Sequence, residues 1–198
     1  MLAALVLLTG AVSAWAEAST IVVLGDSLSS GYGLPLGQSW VSKLDGRLKA
    51  EGYGYEVINA SIAGDTSSGG LARLPYLLEA HSPRIVIIEL GGNDGLRGQP
   101  VQNLRANLVR IIELTRAHGA APILTGIQIP PNYGPTYTGS FARIYTELAA
   151  DLDLPLVGFL LEDVALNGEL MQPDGLHPNA RGNEVMLENV WAVLAEML

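Results

Sequence analysis

With 198 residues, the chain has the length of one ordinary domain and can bury a sizeable hydrophobic core. Hydrophobic residues make up 48% of the chain and charged residues only 16%, a composition that excludes intrinsic disorder. The 11 basic and 20 acidic residues give a net charge of −9, which argues against nucleic-acid binding because such a surface repels phosphate groups.

The first sixteen residues have the pattern of a secretory signal peptide. The run Leu2 to Leu8 is entirely apolar, and Ala14 and Ala16 place small residues at the two positions that a signal peptidase reads. This apolar stretch is too short for a permanent membrane-spanning helix. A buried N-terminal helix is the alternative, but a strand predicted a few residues later leaves such a helix little to pack against. We therefore predict export, with residues 1–16 cleaved and residues 17–198 forming one domain.

The rest of the sequence alternates between strand and helix patterns. In chain order it predicts strand Thr20–Leu24, helix Trp40–Ala50, strand Tyr55–Asn59, helix Gly70–Glu79, strand Arg84–Leu90, helix Val101–His118, strand Pro122–Ile127, helix Phe141–Ala150, strand Leu154–Val157 and helix Asn179–Leu198. Most of these strands are almost entirely apolar, as in parallel sheets that are covered on both faces. The predicted fold is therefore a three-layer α/β/α sandwich around a mostly parallel five-stranded sheet. In such sheets, binding sites form at the carboxyl ends of the strands.

The first polar loop, Gly25 to Ser29, directly follows the first strand. Gly25 permits a tight turn, and Ser27 on that turn would lie near the N-terminus of a following helix. Backbone N–H groups at such a position can stabilise a developing oxyanion. The alternative is that Ser27 only caps the helix. The chain contains neither a Gly-x-Ser-x-Gly elbow nor a phosphate-binding glycine pattern.

Two glycine-containing loops follow the second and third strands. In the loop Asn59 to Ser67, Gly64 can bring its amide close to a bound oxygen; the alternative is an ordinary loop in which Asp65 or Thr66 caps a helix. In the loop Gly91 to Gly95, Asn93 offers a directed amide donor; the alternative is a simple turn.

The fourth polar loop contains the spacing Asp174-x-x-His177, followed by Pro178. Pro178 disfavours helical backbone at His177. Asp174 can then accept a hydrogen bond from one ring nitrogen, which leaves the other free to act as a base. The alternative is a structural turn with a hydrogen-bonded histidine. The other two histidines, at positions 81 and 118, are predicted to be solvated helix ends.

Together the four loops supply a nucleophile, oxyanion donors, a base and a group that orients the base. The blocks Gly25-Asp26-Ser27, Gly64, Gly91-x-Asn93-Asp94 and Asp174-x-x-His177 resemble, in order, those of the SGNH (GDSL) hydrolase superfamily. Residues 59–66, 91–98 and 129–134 further resemble its TesA-type subgroup, exported bacterial enzymes known as thioesterase I, lysophospholipase L1 or arylesterase.

This resemblance implies a flavodoxin-like SGNH hydrolase fold and a serine esterase. Ser27 would attack carboxylic esters and thioesters (aryl esters, acyl thioesters or lysophospholipids), His177 would be the base, and Asp174 would orient it. The backbone N–H groups of Ser27 and Gly64 and the side chain of Asn93 would form the oxyanion hole. No metal or organic cofactor is implied. The expected location is the bacterial periplasm or the medium.

The acyl part of the substrate is expected to contact the segment Ile127 to Tyr137, whose apolar residues and paired prolines predict a rigid wall. The alternative is a proline-rich connector that contacts no ligand. Leu34 and Pro35 are also expected near the cleft. The candidate substrate-binding residues are Asp26, Leu28, Ile129, Pro130 and Tyr133.

Two other functions stay open. Relatives in the superfamily include carbohydrate O-acetylesterases, which would prefer acetyl groups and a polar cleft. A catalytically silent periplasmic lipid-binding or cell-wall-binding module is the second, although such a module should have lost one of Ser27, Asn93 or His177. A nucleotide-binding Rossmann domain is disfavoured by the missing glycine pattern.

The expected partner is a small acyl ester or thioester. No nucleic acid is expected, and the absence of cysteine excludes both a lipidated-cysteine membrane anchor and a disulfide. Without a sustained heptad pattern, the expected state is a monomer.

Overall fold

A five-stranded sheet forms the centre of the protein in a computed structural model that describes residues 19–198. The predicted signal peptide lies outside the described residues. The strands are β1 (Ser19–Gly25), β2 (Tyr55–Asn59), β3 (Ile85–Glu89), β4 (Ala121–Gly126) and β5 (Leu156–Phe159). The helices are α1 (Ser27–Ser30), α2 (Trp40–Ala50), α3 (Ser67–His81), α4 (Gly92–Leu96), α5 (Val101–Ala117), α6 (Pro135–Leu152) and α7 (Ala180–Leu194).

All neighbouring strands pair in parallel, in the order β2-β1-β3-β4-β5, which confirms the predicted sheet. In β1, Val22 lies between Ile58 of β2 and Val86 of β3. The second strand, β2, lies on one side of β1, and the later strands lie on the other side, so the order of strand addition reverses between β1 and β3. In open parallel sheets a crevice forms at such a switch point, at the carboxyl ends of the strands.

Helices cover both faces of the sheet. Because successive side chains of a strand point to opposite faces, Val22 and Leu24 belong to one core cluster and Ile21 and Val23 to the other. Helices α3, α5 and α6 pack on the first face, and α2 and α7 pack on the second. This arrangement confirms the predicted three layers.

Several element boundaries differ from the prediction. Helix α3 begins at Ser67 rather than Gly70, because the Thr66 side chain caps it by accepting from the Gly69 N–H. Helix α6 begins at Pro135, six residues earlier than predicted, since proline suits the first helical position. Strand β5 starts two residues late because the Leu154 N–H still bonds to the helical carbonyl of Ala149.

Two short helices, α1 and α4, occupy the predicted loops after β1 and β3. Each has at most five residues, too few to produce a helical pattern of apolar side chains. No helix in the described part of the chain combines the length and the apolar character needed to cross a membrane.

Candidate active site

The first polar loop forms a sharp strand-to-helix turn. Asp26 caps α1, since its Oδ1 accepts from the Leu28 N–H at 3.0 Å. The interpretation of Ser27 as the cap is therefore wrong: Ser27 is the first helical residue, and its side chain is left for other contacts. Its backbone N–H makes no hydrogen bond to any described residue.

Ser27, His177 and Asp174 form one hydrogen-bonded chain. The Ser27 Oγ lies 2.9 Å from His177 Nε2, and His177 Nδ1 lies 2.7 Å from Asp174 Oδ2. The residues thus come together from the two ends of the sequence. In such a chain, the carboxylate of Asp174 can fix the tautomer of the imidazole, and the imidazole can take the proton of the Ser27 hydroxyl.

The turn that carries His177 is held by its own backbone and by its neighbours. The Gln172 N–H donates to the His177 carbonyl at 2.7 Å, and the Gln172 side chain donates to the carbonyls of Tyr32 and Pro178. The Tyr32 ring packs against the imidazole with ring centroids 4.5 Å apart. These contacts restrict the imidazole to the side of the turn that faces Ser27.

Asp174 is strongly acidic although its side chain is 42% exposed. The backbone N–H of His177, the His177 ring and the Leu176 N–H all donate to this carboxylate, and they lower its pKa to about 2. Hydrogen bonds donated to the charged form, rather than burial, therefore set the low pKa of Asp174.

Gly64 lies on the loop after β2, and its N–H makes no hydrogen bond to a described residue. Its φ of +81° is in the left-handed region, which a side chain disfavours, while a β-carbon there would meet no atom within 4 Å. The requirement for glycine is thus one of backbone conformation rather than of space. Thr66, the cap of α3, ends this loop.

Asn93 lies on α4, after β3. One hydrogen of its amide is donated to Asp26 Oδ2 at 2.9 Å, which leaves the other amide hydrogen for a bound oxygen. The neighbouring Asp94 is buried and accepts from both the N–H and the hydroxyl of Ser67. Asp94 thereby fixes α4 to the start of α3.

Two arginines hold the Gly64 loop. Arg73 of α3 pairs with Asp65 at 2.8 Å and also donates to the carbonyls of Ala60 and Gly25. Arg97, just after α4, donates to the Gly64 carbonyl at 2.9 Å. The loop is thus tied both to β1 and to the segment that carries Asn93.

A cleft of about 350 Å³ opens beside Ser27 and His177. Its walls are mostly apolar, and they include Leu28, Leu96, Ile127, Ile129, Pro130 and Leu161. Of the predicted substrate-binding residues, Asp26, Leu28, Ile129 and Pro130 line this cleft.

Of the other residues expected at the cleft, Leu34 lines a smaller pocket together with Ser27 and His177, whereas Tyr133 and Pro35 line neither pocket. Residues Pro131–Tyr133 form a single 3-10 turn, and the Tyr133 hydroxyl donates to the Leu96 carbonyl at 2.7 Å. Tyr133 therefore supports a residue of the wall instead of forming the wall.

Sequence reasoning did not single out Tyr32, Gln172, Arg73 or Glu89. Glu89 had a usable signal, since it is the only charged residue in an otherwise apolar strand. The others act through long-range contacts that leave no local pattern. No group of three or more His, Asp or Glu side chains within residues 19–198 is arranged to hold a metal ion.

Comparison with known proteins finds similarity along most of the chain. The sequence model of the GDSL-like Lipase/Acylhydrolase family matches residues 23–185. Esterase TesA of Pseudomonas aeruginosa is 51% identical over 195 residues, 98% of this chain and 95% of that protein. Thioesterase 1/protease 1/lysophospholipase L1 of Escherichia coli (strain K12) is 46% identical over 164 residues, 83% and 77% of the two chains. A crystal structure of TesA, 50% identical, matches with a TM-score of 0.88 and covers 91% of this chain and 100% of that one.

Proposed function

This chain belongs to the GDSL-like lipase/acylhydrolase family, and from that membership we propose that it hydrolyses carboxylic esters and thioesters through an acyl-enzyme on Ser27. The observation that carries the proposal is the contact of 2.9 Å between the Ser27 Oγ and His177 Nε2 beside a mostly apolar cleft. The similar proteins include an esterase and a thioesterase, which supports the same chemistry.

In the first step, the Ser27 Oγ attacks the acyl carbonyl while His177 takes its proton. Asp174 holds the imidazole with Nε2 unprotonated toward Ser27 and stabilises the imidazolium that forms. His177 then delivers the proton to the leaving alcohol or thiol. In the second half of the reaction, His177 takes a proton from a water molecule as the water attacks the acyl carbonyl. It then returns that proton to the Ser27 Oγ as the acyl–Oγ bond breaks and the carboxylic acid leaves.

The negative oxygen of the tetrahedral intermediate accepts from the backbone N–H groups of Ser27 and Gly64 and from the Asn93 amide. Support comes from the two backbone N–H groups, which bond to no described residue, and from the amide hydrogen of Asn93 that Asp26 does not take. Each such donor typically lowers the barrier by about 3 kcal/mol.

The acyl chain occupies the apolar cleft, against Leu28, Ile129 and Pro130. A cleft of about 350 Å³ exceeds the space that an acetyl group needs, so its volume and apolar walls favour longer acyl chains over acetylated carbohydrates. The hydrogen-bonded chain from Ser27 to Asp174 likewise favours a hydrolase over a catalytically silent binding module.

We propose that the enzyme acts as an exported monomer in the bacterial periplasm, where acyl-CoA is scarce and lysophospholipids or exogenous esters are available. The pattern of residues 1–16 supports export. A periplasmic fraction from a wild-type strain should hydrolyse lysophospholipid faster than one from a deletion strain. Equal rates would contradict this assignment of the substrate, and a dimer in size-exclusion chromatography would contradict the monomer.

The reaction itself is tested with p-nitrophenyl esters from acetyl to dodecanoyl, with Ser27→Ala alongside. We expect turnover to increase from acetyl to medium-chain esters and to disappear in the variant. A preference for acetyl alone would favour the carbohydrate O-acetylesterase. Absence of turnover on every ester, with a folded protein confirmed by circular dichroism, would favour the binding module.

A further inference from the structure

Glu89 is a buried acid that the proposed reaction does not use. It ends β3, a strand whose five residues are all buried, and its own exposure is 0%. Glutamate is rarely buried without a charged partner, and an ionised carboxylate loses several kcal/mol of hydration in such a place. A sequence that keeps an acid here indicates a specific task for it.

The contacts of Glu89 lie on both sides of Ser27. Its Oε2 accepts from the Asp26 backbone N–H at 3.1 Å and from the Ser29 hydroxyl at 2.7 Å. Its Oε1 is buried and has no hydrogen-bond partner among the described residues. One oxygen atom thus binds the residue before the nucleophile and the second residue after it.

The end of β1 is shaped around this carboxyl group. A β-carbon on Gly25 would lie 2.7 Å from Glu89 Oε2, closer than any real carbon–oxygen contact of this kind. Glycine at position 25 therefore gives Glu89 room beneath the turn. A side chain at position 25 would also press on Ser61 and Ser29, so the space is fitted to glycine.

The surroundings favour the uncharged form of Glu89. The titratable groups that act on it are Asp26 on the turn above and Tyr145 on α6, and neither is a cation. Burial and the nearby Asp26 carboxylate raise the pKa of Glu89 well above its ordinary value. Each acid accepts two hydrogen bonds, but the pKa of Asp26 is raised only to about 6 while that of Glu89 is raised further by its complete burial, so the negative charge of the pair belongs on Asp26 at neutral pH.

We propose that Glu89 is a positioning residue: an uncharged acid that holds the backbone N–H of Asp26 before Ser27 and the hydroxyl of Ser29 after it from beneath. It aims the Ser27 hydroxyl at His177 and leaves the negative charge to Asp26, which orients Asn93. This inference rests on the proposed function for its catalytic consequence. Its structural part, a protonated acid that fixes the Asp26 N–H, stands independently.

Two variants distinguish the role of Glu89 as a hydrogen-bond acceptor from any role of a negative charge on it. In Glu89→Gln, an amide oxygen still accepts both hydrogen bonds, so kcat on a p-nitrophenyl ester should stay within about threefold of wild type, with an unshifted pH profile. In Glu89→Met, the acceptor is lost at similar side-chain length. Its kcat should fall between about 10-fold and 100-fold, with KM within about twofold, since small displacements of a nucleophile have effects of this size.

Thr125→Val is the matched control. Thr125 is 0% exposed on the neighbouring strand β4 and donates to the Ile88 carbonyl at 3.0 Å, so valine removes a buried hydrogen bond without touching the Ser27 turn. We expect a lower Tm and unchanged kcat. If Glu89→Met does not fold, Ser29→Ala removes one of the two bonds and should lower kcat about threefold.

Two readouts do not depend on turnover. The infrared carbonyl band of a protonated carboxyl should be present at neutral pH in wild type and absent from Glu89→Gln. Hydrogen exchange of the Asp26 N–H should accelerate in Glu89→Met. An inactive wild type would overturn the proposed function alone, and these readouts would still decide the role of Glu89. Wild-type kcat in Glu89→Met, or a loss in Glu89→Gln equal to that in Glu89→Met, would overturn the inference.

Discussion

The site joins two regions in which the pKa of an aspartate carboxyl group is shifted in opposite directions. On the exposed turn, three donated hydrogen bonds lower the pKa of Asp174 to about 2. On the buried floor beneath Ser27, burial raises the pKa of Asp26 to about 6, although the Leu28 N–H and the Asn93 amide act against it. Donated hydrogen bonds therefore lower the pKa of a carboxylate at the surface, whereas desolvation outweighs them in the interior.

The two regions therefore differ in what their residues contribute. In the proposed reaction the exposed turn supplies a charge and a base, and its carboxylate contributes little to packing. The floor, formed by Asp26, Ser29, Glu89 and Asn93, supplies geometry, because its hydrogen bonds connect the start of α1 to β3 and α4. Substitutions on the turn should change activity with little change in stability, and substitutions on the floor should change activity and stability together.

The largest expected effect comes from Asp174→Asn. The asparagine oxygen can still accept from the Leu176 and His177 N–H groups, but its NH₂ group faces the imidazole and favours the wrong tautomer. We expect kcat/KM on p-nitrophenyl esters to fall about 10⁴-fold. The Tm at neutral pH should change by no more than about 2 °C, since the side chain is exposed. A loss below about tenfold would show that the turn does not act through the orientation of His177.

The next effect is that of Asn93→Ala. Losing one oxyanion donor should raise the barrier by about 3 kcal/mol, so kcat should fall between about 100-fold and 1000-fold with KM nearly unchanged. Asn189→Ala is the matched control, because the Asn189 amide donates to the carbonyls of Leu160 and Glu162 on α7's side of the sheet. It should lower the Tm and leave kcat unchanged. Equal effects of the two substitutions on kcat would contradict the assignment of Asn93 to the oxyanion hole.

The opposite pKa directions predict opposite pH dependences of stability. Between pH 4 and 6 the unfolded chain has ionised Asp26 while the folded protein keeps the proton, so the free energy of unfolding falls as pH rises. The change from a pKa of 3.8 to about 6 corresponds to about 3 kcal/mol. Relative to wild type, Asp26→Asn should thus gain stability as pH rises from 4 to 7. Urea unfolding at several pH values measures this, and parallel curves would contradict the assignment.

The contribution of Asp174 to the free energy of unfolding has the opposite dependence on pH. Its pKa is lowered, so its stabilising contribution is present above about pH 4 and is lost as pH falls toward 2. Relative to wild type, Asp174→Asn should lose stability as pH rises from 2 to 4. The effect should be smaller than that of Asp26→Asn because solvent screens the exposed turn.

The same contrast explains what could be predicted from the sequence. Strand patterns place Ser27 and Asn93 at the carboxyl ends of two strands, and parallel topology brings such ends together. The Asp174-x-x-His177 spacing is local, so the hydrogen bond between these side chains could be anticipated. Glu89 was missed because its partners lie about 60 residues away in sequence. Tyr133 was misplaced because a single 3-10 turn decides which way its ring faces.

The smallest effects should come from substituting the two arginines that hold the Gly64 loop. One arginine is half-buried and the other is exposed, so the two variants compare a half-buried contact with an exposed one. Arg73 makes three contacts to the loop and to β1, with 21% of its side chain exposed, whereas the exposed Arg97 makes one, to the Gly64 carbonyl. We expect Arg73→Met to lower kcat about tenfold and Arg97→Met about threefold, both at constant KM.

Arg105→Met provides the reference for losing a surface arginine, because the one ion pair of Arg105 within residues 19–198 is with the exposed Asp151, at 2.8 Å. Its kcat should equal that of wild type. Comparing p-nitrophenyl butyrate with a lysophospholipid then separates two roles for Arg97. Equal losses on both substrates would mean that Arg97 orients the Gly64 N–H, whereas a larger KM on the lysophospholipid alone would mean that it binds the phosphate. The bond to the Gly64 carbonyl favours the first result, since it already directs the guanidinium toward the loop.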